Sequence, residues 1–239
     1  MRIGLISDIH GNLVALETVL ADLEAQAVDQ IICLGDTVAT GPQPHATLER
    51  LRALNCPVVM GNTDEWLLDP PAVSPKPDLI QAIDHWCVAQ LSAEDLAFLR
   101  SFQPTIAVEL GPGMTLLCVH GSPRSNIERI EATTSDEQLS AILAEESAQV
   151  IASGHTHVQM LRRYQDRLLI NPGSVGMPFE HDSAGAIRNP PWAEYGLLSY
   201  HDGHLSIELR RVPLDLQAVI QAALDSDMPY QQEWIADWR

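Results

Sequence analysis

The stretch Ile3-Gly4-Leu5-Ile6-Ser7-Asp8-Ile9-His10-Gly11-Asn12 is a short apolar run that breaks off at two metal-binding side chains. The same break recurs four times. Residues 30–35 run into Asp36, residues 57–61 into Asn62, residues 115–119 into His120, and residues 149–154 into His155 and His157. Runs of this length, rich in Ile, Val and Leu, read as buried strands of a sheet covered on both faces. Side by side, they carry all these polar groups to one rim, where open α/β sheets bind ligands. Aspartate, asparagine and histidine gathered there make a mixed oxygen and nitrogen metal site.

Outward from these runs the chain alternates strand and helix. A strand at 2–7 precedes a helix at 12–24, whose Leu13, Leu16, Val19, Leu20 and Leu23 share one face. A second strand is predicted at 30–34, a helix entered through Pro42 and Pro44 at 45–54, and a third strand at 57–60. Such βα units imply parallel pairing with right-handed crossovers. Over about residues 65–103 the pattern becomes a helical insertion. It has helices at 78–90 and, after a capping box of Ser92 and Asp95, at 96–102. The insertion is either a partial lid or inert packing.

In the second half, strands at 105–110 and 114–119 flank Gly111-Pro112-Gly113, and Thr134 with Glu137 starts a helix reaching about residue 147. Strands at 150–153, 158–164 and 168–171 follow, then a hairpin of 197–201 and 206–211 about Asp202-Gly203, and a helix at 214–224. Two blocks of strands with helices outside each predict an α/β fold: two stacked mixed β-sheets flanked by helices, a four-layer αββα sandwich. It is expected as one domain over residues 1–239. The tail at 229–239 carries Trp234 and Trp238, and docks either on the body or on a second copy in a homo-oligomer.

The chain has 239 residues, 46% of them apolar, which is ample for a large core. Lysine and arginine number 14 against 32 aspartates and glutamates, a net charge of −18. That surface repels nucleic-acid phosphates and favours the approach of divalent cations. Cys33 and Cys118 fall inside predicted strands and Cys56 just before one, the habit of core thiols in a reduced, cytoplasmic protein. No stretch approaches membrane-spanning length, and no charged leader with an apolar core precedes the first strand.

Taken singly, Asp8 reads as a helix cap and Asp36 as a turn acid. His155 and His157 point to the same side if the backbone stays extended. Burying several imidazoles and carboxylates together is costly unless a cation compensates. His85, His201 and His204 read as solvated surface residues.

In order, Asp8-x-His10-Gly11-Asn12, Gly35-Asp36, Gly61-Asn62-x-Asp64, Val119-His120-Gly121 and Gly154-His155-x-His157 resemble the signature of the calcineurin-like metallophosphoesterases. The likeness runs from Asp8 to about Gly176 and includes Asn171-Pro172-Gly173-Ser174-Val175-Gly176, similar to a stretch of the small prokaryotic phosphodiesterases. The resemblance implies two divalent metal ions. Asp8, His10, Asp36 and His157 would hold one; Asp36, Asn62, His120 and His155 would hold the other, with Asp36 bridging. Two cations about 3.5–4 Å apart need an anionic bridge. Imidazole and oxygen ligands suit Mn, Fe, Zn, Ni or Co.

The resemblance further implies hydrolysis of a small phosphate ester, with phosphodiesters ahead of phosphomonoesters and Asp36, Asn62 and His120 as catalytic residues. Hydroxide would come from water shared by the ions, acidified from about 15.7 toward neutrality. Asn12 is either a phosphate contact or a helix cap. Many members carry histidine where this chain has Thr63, and threonine has no pKa suited to protonating a leaving group. Thr63 is therefore expected at the substrate without that role. The proton then comes from elsewhere, with His45 and His181 as candidates, or the substrates have good leaving groups. A competing reading is a non-catalytic scaffold, as in the retromer subunit of the superfamily, but no ligand position here is degraded. A repair nuclease is opposed by the −18 charge.

Overall fold

A computed structural model describes residues 1–181 and 185–238. β1 (Arg2–Ile6) leads into α1 (Leu13–Ala25), and β2 (Gln30–Cys33) into α2 (Pro44–Leu54). Then come α3 (Asn62–Leu68), α4 (Leu79–Gln90) and α5 (Ala93–Leu99). The second half holds β3 (Ile106–Gly111), β4 (Met114–Cys118), α6 (Asp136–Ile142), β5 (Val150–Ala152), β6 (Met160–Tyr164) and β7 (Arg167–Asn171). The short β8 (Glu180–His181) and β9 (Ile187–Arg188) precede the long hairpin of β10 (Trp192–His201) and β11 (His204–Pro213). The chain closes with α7 (Leu216–Leu224) and α8 (Gln231–Ala236).

Two large sheets result, ordered β11-β10-β1-β2 and β3-β4-β5-β7-β6. Both are mixed. β1 pairs parallel with β2 and antiparallel with β10, while β4, β5 and β7 run parallel between antiparallel edges. The layering follows from strand alternation. Ile3 and Leu5 of β1 meet Leu116 and Cys118 of β4 and Val150 and Ala152 of β5 in the core between the sheets. The intervening residues point outward. Ile6 joins Leu16, Val19 and Leu23 of α1, whereas Leu117 and Ile151 join Leu139 and Ile142 of α6. Three separate apolar cores mean four layers, as predicted.

Several local expectations need correction. Residues 57–60 form isolated bridges rather than a strand: Val58 pairs with Cys33 on one side and Val59 with Gln103 on the other. Pro57 has no N–H to give, and Gly61 turns the chain into α3 at once. Helix α6 is capped by Ser135 with Gln138, one residue beyond the predicted pair, and ends at Ile142 rather than near residue 147. Helix α5 starts at Ala93, directly after its N-cap Ser92, three residues before its predicted start.

The tail docks on the body of its own chain. Trp234 and Trp238 are buried in the core containing α1 and α7. The Trp234 indole Nε1 donates to the Thr40 carbonyl at 2.9 Å. No helix among the described residues is long and apolar enough to cross a membrane.

Candidate metal centre

Asp8, His10, Asp36, His155 and His157 all have left-handed backbone, with φ of 54°, 48°, 53°, 66° and 56°. Outside glycine this conformation costs about 1–2 kcal/mol per residue, and aspartate and histidine tolerate it better than most. Each strand therefore turns sharply where it ends and throws its polar side chain over the rim. The turns brace one another. Asp8 N–H donates to Gly35 O at 2.9 Å and His10 N–H to Asp36 O at 3.1 Å. His155 N–H donates to Asp8 Oδ2 at 3.1 Å. The extended backbone expected at His155 and His157 is absent, so the two imidazoles serve different clusters.

Two glycines are dictated by this crowding. A Cβ on Gly154 would fall 2.0 Å from Ser7 Oγ and 2.8 Å from Asp8 Oδ2. A Cβ on Gly61 would fall 2.2 Å from both the amide nitrogen and Oδ1 of Asp36.

The side chains form two groups able to hold a metal ion, Asp8 with His10 and His157, and Asp36 with His120 and His155. Within each, the ligating atoms lie within 4.8 Å of one another. Asp36 reaches both groups, with Oδ2 3.4 Å from His120 Nε2 and 3.9 Å from His10 Nε2. Asn62 Oδ1 lies 3.0 Å from His120 Nε2.

Backbone carbonyls orient the rings. The Nδ1–H groups of His10, His120 and His157 donate to Ala39 O, Leu34 O and Met177 O at 2.9, 2.8 and 2.7 Å. A carbonyl can only accept, so each Nδ1 carries a proton and each Nε2 points inward, free for a cation. His10 Nε2 and His157 Nε2 face each other at 3.1 Å. Asp8 Oδ1 is buried without a hydrogen-bond donor, with His157 Nε2 3.3 Å away. Two imidazole nitrogens this close beside a carboxylate oxygen without a donor fit a divalent ion, which would satisfy them together.

Electrostatics repeats the pairing. Burial works against the Asp36 carboxylate, but His120 and His10 hold its pKa well below the usual range. Burial likewise opposes Asp8, and His157 outweighs it. His120 is disfavoured as a cation by burial, yet the neighbouring Asp36 carries its pKa to about 9. His157 rises in the same way beside Asp8. Burial keeps His10 and His155 down, helped by the charges on His157 and His120. Each group thus contains one carboxylate, one imidazole that takes a proton readily and one that does not.

The remaining residues singled out from sequence divide clearly. Asn12 is buried, with Oδ1 capping α1 at Ala15 N–H (3.1 Å) and Nδ2 donating to Gly176 O (3.1 Å). Its polar atoms serve the fold, and it does not line the cavity over the metal groups. Asp8 does not cap the helix. Thr63 does line that cavity, and its N–H donates to Asp36 Oδ1 at 2.9 Å. His45 is bound to Asp95 at 2.6 Å, bracing α2 against α5, whereas His181 lines the cavity. His201 and His204 are exposed, while His85 departs from the surface reading and packs edge-on against Trp66, 5.1 Å between rings.

Positioning residues were less visible in the sequence. The buried Asp64 carboxylate accepts from Thr37 N–H and Thr37 Oγ1 (2.9 and 2.6 Å) and from Gly61 N–H (3.2 Å), clamping the loops of Asp36 and Asn62. With burial and Asp36 both opposing its charge, its pKa stands at about 6. Ser174 Oγ donates to Asp8 O at 2.7 Å, and Asn171 Nδ2 to Gly154 O at 2.7 Å, so residues 171–176 buttress two ligand loops. Arg129 also lines the cavity, the only lysine or arginine among the described residues to do so.

The model of the calcineurin-like phosphoesterase superfamily domain matches residues 1–188. The chain belongs to that superfamily. With both metal-binding groups intact, it is a metal-dependent phosphoesterase. It is 28% identical over 250 residues to an uncharacterized protein of Methanocaldococcus jannaschii, covering 98% of this chain and 96% of the relative. The crystal structure of a metallophosphoesterase from Sphaerobacter thermophilus is similar at 29% identity and a TM-score of 0.77, over 99% of this chain and 97% of that one. A hypothetical protein from Pyrococcus horikoshii shares the fold, with a TM-score of 0.82 at 18% identity, over 98% and 96% of the two chains. Both structural likenesses cover nearly the whole chain, past the residues that the family model matches.

Proposed function

We propose that this phosphoesterase hydrolyses phosphodiesters at a dinuclear metal centre whose two halves share Asp36. Asp8, His10, Asp36 and His157 would hold one ion, and Asp36, Asn62, His120 and His155 the other. The observation that carries the reading is Asp36 Oδ2, placed 3.4 Å from His120 Nε2 and 3.9 Å from His10 Nε2, one in each group. When bound, divalent ions supply the Lewis acid and the acidified water of such hydrolysis.

The chain's own residues supply position and polarity. Carbonyls at Leu34, Ala39 and Met177 fix the imidazoles, so the site costs no reorganisation when substrate arrives. Neutral Asn62 adds an oxygen without further negative charge. The Asp36 loop is held by Thr63 N–H, and Thr63 faces the substrate. His181, rather than His45, is the group within the cavity that can deliver a proton to the leaving oxygen. A diester, with one negative charge, suits a cavity in which Arg129 is the only lysine or arginine among the described lining residues, in a chain of net charge −18.

Steady-state rates on paired chromogenic mono- and diesters, run under Mn, Fe, Zn, Ni and Co, test this. Faster metal-dependent cleavage of the diester is expected. Preferential cleavage of the monoester would replace the reading with a phosphomonoesterase.

A further inference from the structure

The metal groups occupy only the floor of a cavity of about 890 Å³, a volume typical of sites for drug-sized ligands and far larger than a phosphate group needs. Part of its wall is apolar. Ile80 of α4, Val158 and Ile187 of β9 face it at 47%, 54% and 51% exposure. Seven large apolar side chains stand at 47% exposure or more among the described residues, and three of them converge here. Single exposed apolar residues are ordinary, but a cluster facing one cleft marks a binding surface.

Phe179 joins the wall to the metal centre. Its ring centroid lies 5.1 Å from that of His157 and 5.9 Å from that of His181. His181 and Ile187 are cross-strand partners in the β8–β9 ladder, so that ladder forms one side of the cavity. Met177, whose carbonyl orients His157, lines the same side.

We propose that this wall binds an apolar arm, alkyl or aromatic, of the phosphodiester, which selects substrates by that arm. The inference rests on the diester reading above and adds the substrate class. Contact between the wall and the metal groups through Phe179 and His157 commits the surface to a group attached to the reacting phosphorus, rather than to a separate partner.

The test uses manganese-loaded protein and three unactivated diesters, dimethyl, butyl methyl and cyclohexyl methyl phosphate, with dissociation constants measured by calorimetry. Each fully buried methylene is worth about fourfold in affinity, so the five further carbons of the cyclohexyl ring against a half-open wall should give about thirtyfold from dimethyl to cyclohexyl methyl phosphate. Val158→Ser and Ile187→Ser should each shrink that ratio. Equal affinity for all three esters overturns the proposal, and so does a large ratio that neither substitution changes. Turnover of methyl p-nitrophenyl phosphate is followed in parallel. Its absence alongside a retained affinity ratio would sink the diesterase reading and leave the apolar arm site standing.

Discussion

At the scale of single residues, Asp36 and His120 decide how the centre behaves with and without metal. Asp36→Asn should abolish turnover and lower metal content at both positions, while His157→Ala should chiefly empty the Asp8–His10 position; elemental analysis of the purified variants reads both. Near-normal metal content and rate in Asp36→Asn would contradict a shared carboxylate. His120 carries a pH signature. Its folded pKa of about 9 exceeds the unfolded 6.5, so its stabilising contribution to metal-free protein is complete below pH 6.5 and is lost as pH rises through 9. Melting temperatures of metal-free protein should therefore fall between about pH 7 and 9. Metal competes with that proton for Nε2, so metal binding near pH 7 should release protons, seen as binding heats that vary with the buffer's ionisation enthalpy. Thr63→His should speed poor leaving groups more than good ones, and equal effects would count against a missing acid at that position. The side chains that gather at the rim were legible in sequence because polar side chains at the ends of apolar runs have few structural uses. Arg129 was not, since a loop arginine looks the same whether it faces a cavity or bulk solvent.

At the scale of elements, the loops after the strands hold the site, and they in turn are held from behind. The C-terminal helix α8 illustrates this. Trp234 Nε1 anchors the Thr40 carbonyl, and Thr40 Oγ1 donates to Asp84 Oδ1 at 2.9 Å. The adjoining Ala39 carbonyl orients His10. Trp234→Phe removes the indole donor and keeps much of the packing, so it should weaken metal binding at the Asp8–His10–His157 group while sparing the other. Calorimetric titration with manganese separates the two sites, and an equal loss at both would refute this link. Strand and helix positions were largely readable because buried strands here alternate between two apolar cores. Residues 57–60 misled because an apolar run pairs as a strand only if its neighbours leave room, and this one is bridged on both sides by single contacts. The left-handed turns at His155 and His157 were hidden as well, being imposed by hydrogen bonds to Asp8 and Met177 from distant parts of the chain.

For the whole molecule, the sandwich works because strands from both sheets end at one rim, bringing residues 8, 36, 120 and 155 together from separate βα units. Stability and function are coupled there, since several buried charges lean on one another for compensation. Metal at 100 times its dissociation constant adds about 2.7 kcal/mol. In a domain of this size that corresponds to about 5–10 °C, so exhaustive chelation should lower the melting temperature by that order. An unchanged melting temperature would mean that metal does not bind these groups. The most direct measurement is anomalous diffraction from manganese-soaked crystals. Two peaks about 3.5–4 Å apart are expected, with the Asp36 carboxylate between them. A single peak, or two peaks of which Asp36 touches only one, would contradict the shared centre.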